Sequence, residues 1–540
     1  MQAKDELEKR RSALSTKKQA LLAKMLSRQG DNDAPQFSIS RKSQHFREFV
    51  PISILPRTGS DDFFPASFAQ RRLWFLDQLQ HGSPVYNNLE TYCFTGDLHI
   101  VALKQSLNEI IKRHETLRTT FLMMDGRLMQ RIAPHLTIEL SVHNLEELPV
   151  HEQEAAMMQL AVVEAQRPFD LEAGPLIRAW LLRQTQTKHM LLLALHHIIS
   201  DGWSMGVLYQ ELTALYDAYS KGKPSPLTNL PVQYADYAAW QQEWLQDSVL
   251  EPQLAYWKQQ LAGAPPLLEL PFDKPRPPVE TFRGTYERFT LPSSLIAELE
   301  NIARREGVTL FMILLTALML LLSYASSQDD IVVGTDVANR RSVEIERLIG
   351  FFVNQLVLRA DLSGNPTLSE LLQRVRKAVL DAYEHQDVPF DQLVKALNPV
   401  RHPDRSPLFQ TKLVLQHIPA ILPSSSAVTI ARQLIDNGTA QLDLLLILHQ
   451  APSGELQGFW QYNTDLFEAK TIARMNQHFS VILKTLATSL AYKLSDIKAL
   501  LDQVDREHRH SQQRQLAQLR HHRLKTVQTK PFRLSGKETL

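Results

Sequence analysis

The chain has 540 residues, 44% of them hydrophobic and 22% charged, with a formal net charge of +1. That length provides for two or more cores, and the near-neutral balance excludes a global field that would steer the chain to nucleic acid or an anionic membrane surface. Cys93 is the single cysteine, which rules out an intrachain disulfide and a thiolate metal cluster and fits a reducing, cytoplasmic setting.

Residues 1–28 mix charges with a sparse apolar series, Leu14, Leu21, Leu22, Met25 and Leu26. The pattern suits one or two short amphipathic helices and lacks the basic-then-apolar order of a secretory signal. Basic residues are in excess there, but no aromatic side chains are interleaved, so a partner-binding or linker helix reads better than a nucleic-acid contact. Residues 29–60 turn polar, with Gly30, Asn32, Pro35, Pro51 and Pro56, and read as a connector. A folded texture begins at Asp61. Ser67 can cap a helix whose apolar positions Leu73, Leu76 and Leu79 recur at helical spacing. Arg72, beside Leu73 and Trp74, needs a carboxylate if buried, and Asp201 is the candidate.

Residues 110–121 pass from a helix into a strand and leave Arg113, His114, Glu115 and Arg118 at the helix end, where such charges are usually solvated. Met190 to Leu195 form an apolar run suited to a strand covered on both faces, and it stops at His196-His197-Ile198-Ile199-Ser200-Asp201-Gly202-Trp203-Ser204. Ser204 then caps a helix with apolar positions Leu208, Leu212, Leu215 and Tyr219. Two histidines where a strand becomes a loop can supply a base or a metal ligand, or can be hydrogen-bonded core residues. Neighbouring side chains of an extended strand point to opposite sides, and no cysteine or clustered acid lies nearby, so joint metal ligation is disfavoured. The other pair, His521-His522, has neither acid nor glycine in register and reads as surface composition.

Beyond this turn a proline-rich loop precedes Gln233 to Trp240, and the run Pro265 to Pro278 marks a crossing between lobes. The longest apolar run, Val308 to Leu322, contains two threonines and falls short of the roughly 18 residues of a spanning helix, so it predicts a buried core helix. A strand at Ile331 to Val333 leads into Gly334-Thr335-Asp336, and Ile349 to Arg359 follows. Residues 501–540 are rich in glutamine, histidine and arginine, and read as a frayed helix and tail or as a basic docking element for a partner.

Taken in order, these blocks resemble the condensation domain of non-ribosomal peptide synthetases, in the chloramphenicol-acetyltransferase-like superfamily. His196 to Ser204 resembles the family's active-site motif. Ser67 to Leu76, Arg113 to Phe121, Tyr234 to Trp240, Ile349 to Arg359, His385 to Asp391, Arg405 to Gln410 and Tyr462 to Phe467 fall in the family's order. The resemblance covers roughly residues 61–490. Gln355 departs from it, standing where the family usually has a smaller threonine, and residues 401–404 vary from the usual lead-in to Arg405.

The resemblance implies an α/β fold of two acetyltransferase-like lobes in a V, with the histidine motif at their junction. It divides the chain into an N-terminal helical segment and linker (1–60), a first lobe (61–235), a second lobe (236–495) sending back a crossing near Gly334 to Arg340 and a latch after His385, and a basic tail (496–540). It implies amide formation by attack of an acceptor amine on a donor acyl or peptidyl thioester, each presented on the phosphopantetheine arm of a carrier protein. No cofactor or metal is bound by the chain itself, and the partners are donor and acceptor carriers and other synthetase subunits, not nucleic acid or membrane. His197 is the base or positioning group; His196 and Asp201 hold the loop, with Arg72 as the aspartate's ion partner; Gly202 admits the reacting carbonyl; Trp240 and Asn354 line or support the site. The paired histidines argue against the heterocyclising branch, and Trp203-Ser204 resembles the branch that joins two L-configured partners. No adenylation, carrier or thioesterase domain fits after Leu490, so a discrete enzyme or an excised piece is expected. Acyl transfer from a carrier or coenzyme A to a free amine or alcohol is the second reading, and a non-catalytic recruitment module the third.

Overall fold

The computed structural model describes residues 51–528, apart from 81, 417–427, 434 and 452. The amphipathic helices expected within 1–28 and the last residues of the basic tail lie outside the described residues.

The first half contains β1 (Asp62–Pro65), α1 (Phe68–Leu79), β2 (Asn87–Thr95), α2 (Ile100–Arg113), β3 (Thr119–Met124), β4 (Arg127–Ile132), β5 (Ser141–Asn144), α3 (Val150–Gln166), β6 (Ile177–Thr185), β7 (Lys188–His196) and α4 (Gly202–Tyr219). Ser67 caps α1 as expected, in a capping box with Gln70. β7 lies between β2 and β6 in a five-stranded sheet, and every residue from His189 to His196 is buried. A strand covered on both faces must be apolar throughout, which is why Met190 to Leu195 carry no alternation. Tyr219 is only partly buried, so α4 buries Leu208, Leu212 and Leu215 but frays toward solvent at its end.

The second half contains α5 (Tyr234–Trp244), α6 (Asp247–Gln260), β8 (Gly284–Leu291), α7 (Ser293–Glu306), α8 (Leu310–Ser326), β9 (Asp330–Val337), α9 (Val343–Glu346), β10 (Asn354–Asp361), α10 (Leu368–Glu384), α11 (Phe390–Leu397), β11 (Thr411–Gln416), β12 (Thr429–Gln433), β13 (Leu444–Gln450), β14 (Leu456–Asn463), α12 (Ala469–Thr488) and α13 (Leu494–Gln528). The point 235/236 falls inside α5. Six strands form a sheet in the order β10-β9-β11-β13-β14-β8, with β11 parallel to both β9 and β13. α8 is buried around its whole circumference from Leu310 to Ser323, the core helix that its composition predicts. No single helix among the described residues is long and apolar enough to cross a membrane.

Two large separate cores result, one around α8 and the six-stranded sheet and one around β7. They are joined by segments of the second half that reach the first. β12 pairs antiparallel with β2 and completes the five-stranded sheet, covering an edge that would otherwise expose unpaired backbone groups. The buried Glu90 carboxylate of β2 takes two 2.7 Å hydrogen bonds from the Arg432 guanidinium of β12. Two stretches after His385 reach the first half: the one leading into α11, where the Phe390 ring lies 4.6 Å from the Arg72 guanidinium of α1, and β12, which begins some forty residues later at Thr429.

Candidate functional site

β7 delivers His196 and His197 to a short 3-10 turn, His197–Ile199, and Asp201 then caps α4. Ser204, expected as the cap, is instead the third helical residue: its N–H donates to Asp201 Oδ1 at 2.8 Å. An aspartate there satisfies an orphan helix donor and places its charge at the positive end of the dipole.

The two imidazoles have opposite surroundings. His196 is 2% exposed, lies edge-on to Tyr86 and Phe169, and its Nδ1 accepts the Ile198 N–H at 3.1 Å. Burial, with a smaller contribution from His197, pushes its pKa down to about 3, so it is a neutral core residue. His197 is partly exposed and packs at 5.9 Å from the Phe351 ring. Its Nδ1 is 3.0 Å from the Ser200 carbonyl oxygen, and because a carbonyl can only accept, Nδ1 carries the proton and the Nε2 lone pair is left for another partner. Burial lowers the His197 pKa; the Ser200 bond and Asp201 oppose it, Lys412 adds to it, and Asp336 opposes it. Lys412 and Asp336 belong to β11 and β9, so the imidazole stands at the seam between the two sheets.

Asp201 is fully buried, and its ion partner is Arg340, not Arg72. The Arg340 Nη2 lies 3.3 Å from Asp201 Oδ1 and 2.9 Å from Ser204 Oγ, while Nη1 donates to the carbonyls of Ile345 and Leu348 at 2.6 and 2.7 Å. Asp201 Oδ2 accepts the Phe352 N–H at 2.9 Å. One carboxylate thus ties the start of α4 to residues 340–352 of the second half. Arg72 is spent on the Phe390 ring. Arg340 was legible as part of the crossing from Gly334 but carried no mark of its role; the only signal was a buried acid in need of a cation.

Gly202 opens α4, and a methyl group placed on it would meet nothing nearer than Gln416 Nε2, at 3.8 Å. Protein packing therefore does not demand glycine here, and the space beside it is open to another molecule. Gly350 is the contrary case, since a methyl group there would sit 2.1 Å from the Tyr234 ring. That close approach lets Ser204 Oγ accept the Gly350 N–H at 3.0 Å and lets the Tyr234 hydroxyl donate to the Phe351 carbonyl at 2.6 Å.

Asn354 does not face the histidine with a free amide. Its Nδ2 donates to the carbonyls of Gln386 and Val388 at 2.9 and 2.7 Å, and its Oδ1 accepts the Phe390 N–H at 3.1 Å, which pins the stretch leading into α11. Trp240 stacks on Trp244 at 5.1 Å and lies 5.9 Å from Tyr237, which in turn packs at 4.7 Å against Phe352. Tyr237 thus lies between the rings of Trp240 and Phe352. The charged cluster after α2 is buried rather than solvated: His114 Nε2 donates to Glu211 Oε2 at 2.8 Å, Arg113 holds the other oxygen, and His114 Nδ1 accepts the Ile349 N–H at 3.3 Å. A helix end usually meets water, but here the second half covers it.

Residues 60–507 match the family model of the Condensation domain. A linear gramicidin synthase of Brevibacillus parabrevis is 46% identical over 455 residues, which cover 84% of this chain and 6% of that protein. Chondramide synthase cmdD of Chondromyces crocatus is 44% identical over 460 residues, covering 85% of this chain and 12% of that protein. The chain thus spans only a small part of the length of these relatives. Among solved structures, the X-domain from teicoplanin biosynthesis superposes with a TM-score of 0.73 at 26% identity, covering 83% of this chain and 99% of that one. The starter condensation domain of rhizomide synthetase shares the fold, with a TM-score of 0.70 at 23% identity, covering 80% of this chain and 96% of that one.

Proposed function

The chain belongs to the Condensation domain family, and from that premise we propose that it forms an amide bond between two carrier-bound substrates. The acceptor amine attacks the donor thioester carbonyl, a C–N bond forms, the C–S bond breaks, and the donor arm leaves as its thiol. Both substrates arrive on phosphopantetheine arms of carrier proteins, as reactants rather than as a cofactor of this chain. The similarity to a linear gramicidin synthase subunit and to a phosphinothricin tripeptide synthetase supports carriers and other synthetase subunits as partners, and a cytoplasmic setting goes with that reading.

The observation that carries this reading is the tautomer of His197: the Ser200 carbonyl takes Nδ1–H, so Nε2 is the basic atom. A thioester is already activated, so the remaining tasks are to hold amine and carbonyl together, to receive the ammonium proton or hold the neutral amine, and to stabilise the oxyanion. Nε2 serves the amine. The Gly202 N–H, in the first turn of α4 where helix donors have no intrahelical acceptor, serves the oxyanion. His196, Asp201 and Arg340 hold the turn, and Arg72, Trp240 and Asn354 hold the segments around it.

Reconstitution with loaded donor and acceptor carriers, read by intact-protein mass spectrometry, tests the reading. The expected result is product on the acceptor carrier, with His197→Ala slowed roughly 10²–10⁴-fold while its thermal unfolding is unchanged. Product free in solution instead would indicate transfer to a small molecule, and a full rate in His197→Ala would remove the imidazole from the chemistry. Because burial depresses the His197 pKa, activity persists below the ordinary imidazole value and is lost only as pH falls further.

A further inference from the structure

The face of the six-stranded sheet that meets the seam carries a polar patch with no task in the chemistry above. β10 and β9 pair with Gln355 opposite Asp336 and Val357 opposite Gly334, and β11 sets Lys412 opposite Gly334. Residues directly opposite, or two apart along a strand, share a face. Gln355, Asp336 and Lys412 therefore stand together, with Gln416 farther along β11 at the open space beside Gly202. The alternate residues Leu356, Thr335 and Leu413 are buried on the other side.

Lys412 is 4% exposed, and its Nζ lies 3.0 and 3.2 Å from the two oxygens of Asp336. Both groups are near enough to His197 to act on its proton affinity, in opposite directions. Gln355 Oε1 is buried and accepts no hydrogen bond among the described residues. An amide oxygen withdrawn from water without a donor is a cost that needs a reason.

We propose that Gln355, backed by the Asp336–Lys412 pair, is a specificity-determining wall of the reaction seam that selects a substrate side chain bearing an N–H or O–H donor over an apolar side chain of the same shape. The donor completes the bond that Gln355 Oε1 lacks. An apolar isostere leaves that oxygen unpaired and strips the ion pair of polar surroundings, which is why a hydrogen-bonding site discriminates more strongly than one that measures size. The inference rests on the amide-forming reading and adds to it the class of side chain that the seam accepts.

The test uses the full chain with asparagine- and leucine-loaded carriers in competition, a polar and an apolar side chain of nearly equal shape. One arm varies the acceptor load against a fixed donor and the other varies the donor against a fixed acceptor, so the arm that discriminates tells which substrate touches the wall. Expected is a preference for asparagine of about tenfold or more in one arm, lost in Gln355→Leu and kept in Gln355→Glu, which retains an oxygen at the same reach. The wild-type competition needs no variant to fold. Equal rates in both arms, or an unchanged ratio in Gln355→Leu, overturn the wall while leaving amide formation standing. Absence of product from every pair overturns amide formation and the wall with it.

Discussion

His196 and His197 are neighbours with different surroundings, and their hydrogen bonds give them different tautomers. His196 Nδ1 accepts a backbone N–H and His197 Nδ1 donates to a backbone carbonyl, so they are opposite tautomers. His196 has a measurable signature in stability. The unfolded chain takes up its proton near the ordinary value of about 6.5, whereas the folded chain holds off until about 3. Below that upper value the unfolded state binds more protons, so stability falls as pH drops from about 6.5 toward 3, by up to ~1.4 kcal/mol per pH unit. Urea denaturation from pH 7 to pH 5 should show this slope, and His196→Gln should flatten it; an unchanged slope would show that the imidazole is not held neutral. The Asp201 partner is tested in the same way. Arg340→Met leaves a fully buried carboxylate without its cation and should cost about 3–5 kcal/mol. Arg72→Met, which loses a ring contact, should cost roughly 1 kcal/mol. The reverse ranking would restore Arg72 as the partner.

At the level of elements, local sequence was a good guide wherever the local environment decided the outcome. The apolar run of β7, the capping box at Ser67 and the all-apolar surface of α8 each follow from rules that act over a few residues. β12 is different. Its five residues show no strand signal strong enough to separate them from a loop, and they become a strand because β2 offers an open edge and Glu90 needs a cation. Arg432→Ala should therefore loosen the strand as a unit. Amide hydrogen exchange across β12 and β2 should speed up by about two orders of magnitude, matching a loss of roughly 3 kcal/mol for a stranded buried charge, while β6 stays protected. Exchange unchanged in β2 would mean that backbone pairing alone holds the crossing. Asn354 has the same character: an asparagine at a strand start is unremarkable in sequence, yet its amide spans three backbone groups from Gln386 to Phe390.

For the whole molecule, the histidine turn lies where segments of the second half reach across to the core of the first. The contact at Gly350 shows how closely the halves are fitted. A methyl group there would strike the Tyr234 ring, so Gly350→Ala should destabilise the protein by about 1–3 kcal/mol through overpacking. It should also reduce condensation activity beyond what the folded fraction explains, because Gly350 shares Ser204 with Asp201 and Arg340. Thermal unfolding alongside rate measurement separates the two effects, and a stable, fully active variant would show that the fit is looser than the geometry indicates. The sequence by itself determined the buried strand β7, the capped start of α1 and the core helix α8, because periodicity, capping and strand patterning operate within a few residues. Only the tertiary structure decided that Asp201 meets Arg340 across 139 residues and that Glu90 meets Arg432 across 342. Many arginines in the chain are chemically able to answer either acid, and which one does is set by where packing of the two sheets brings the backbone.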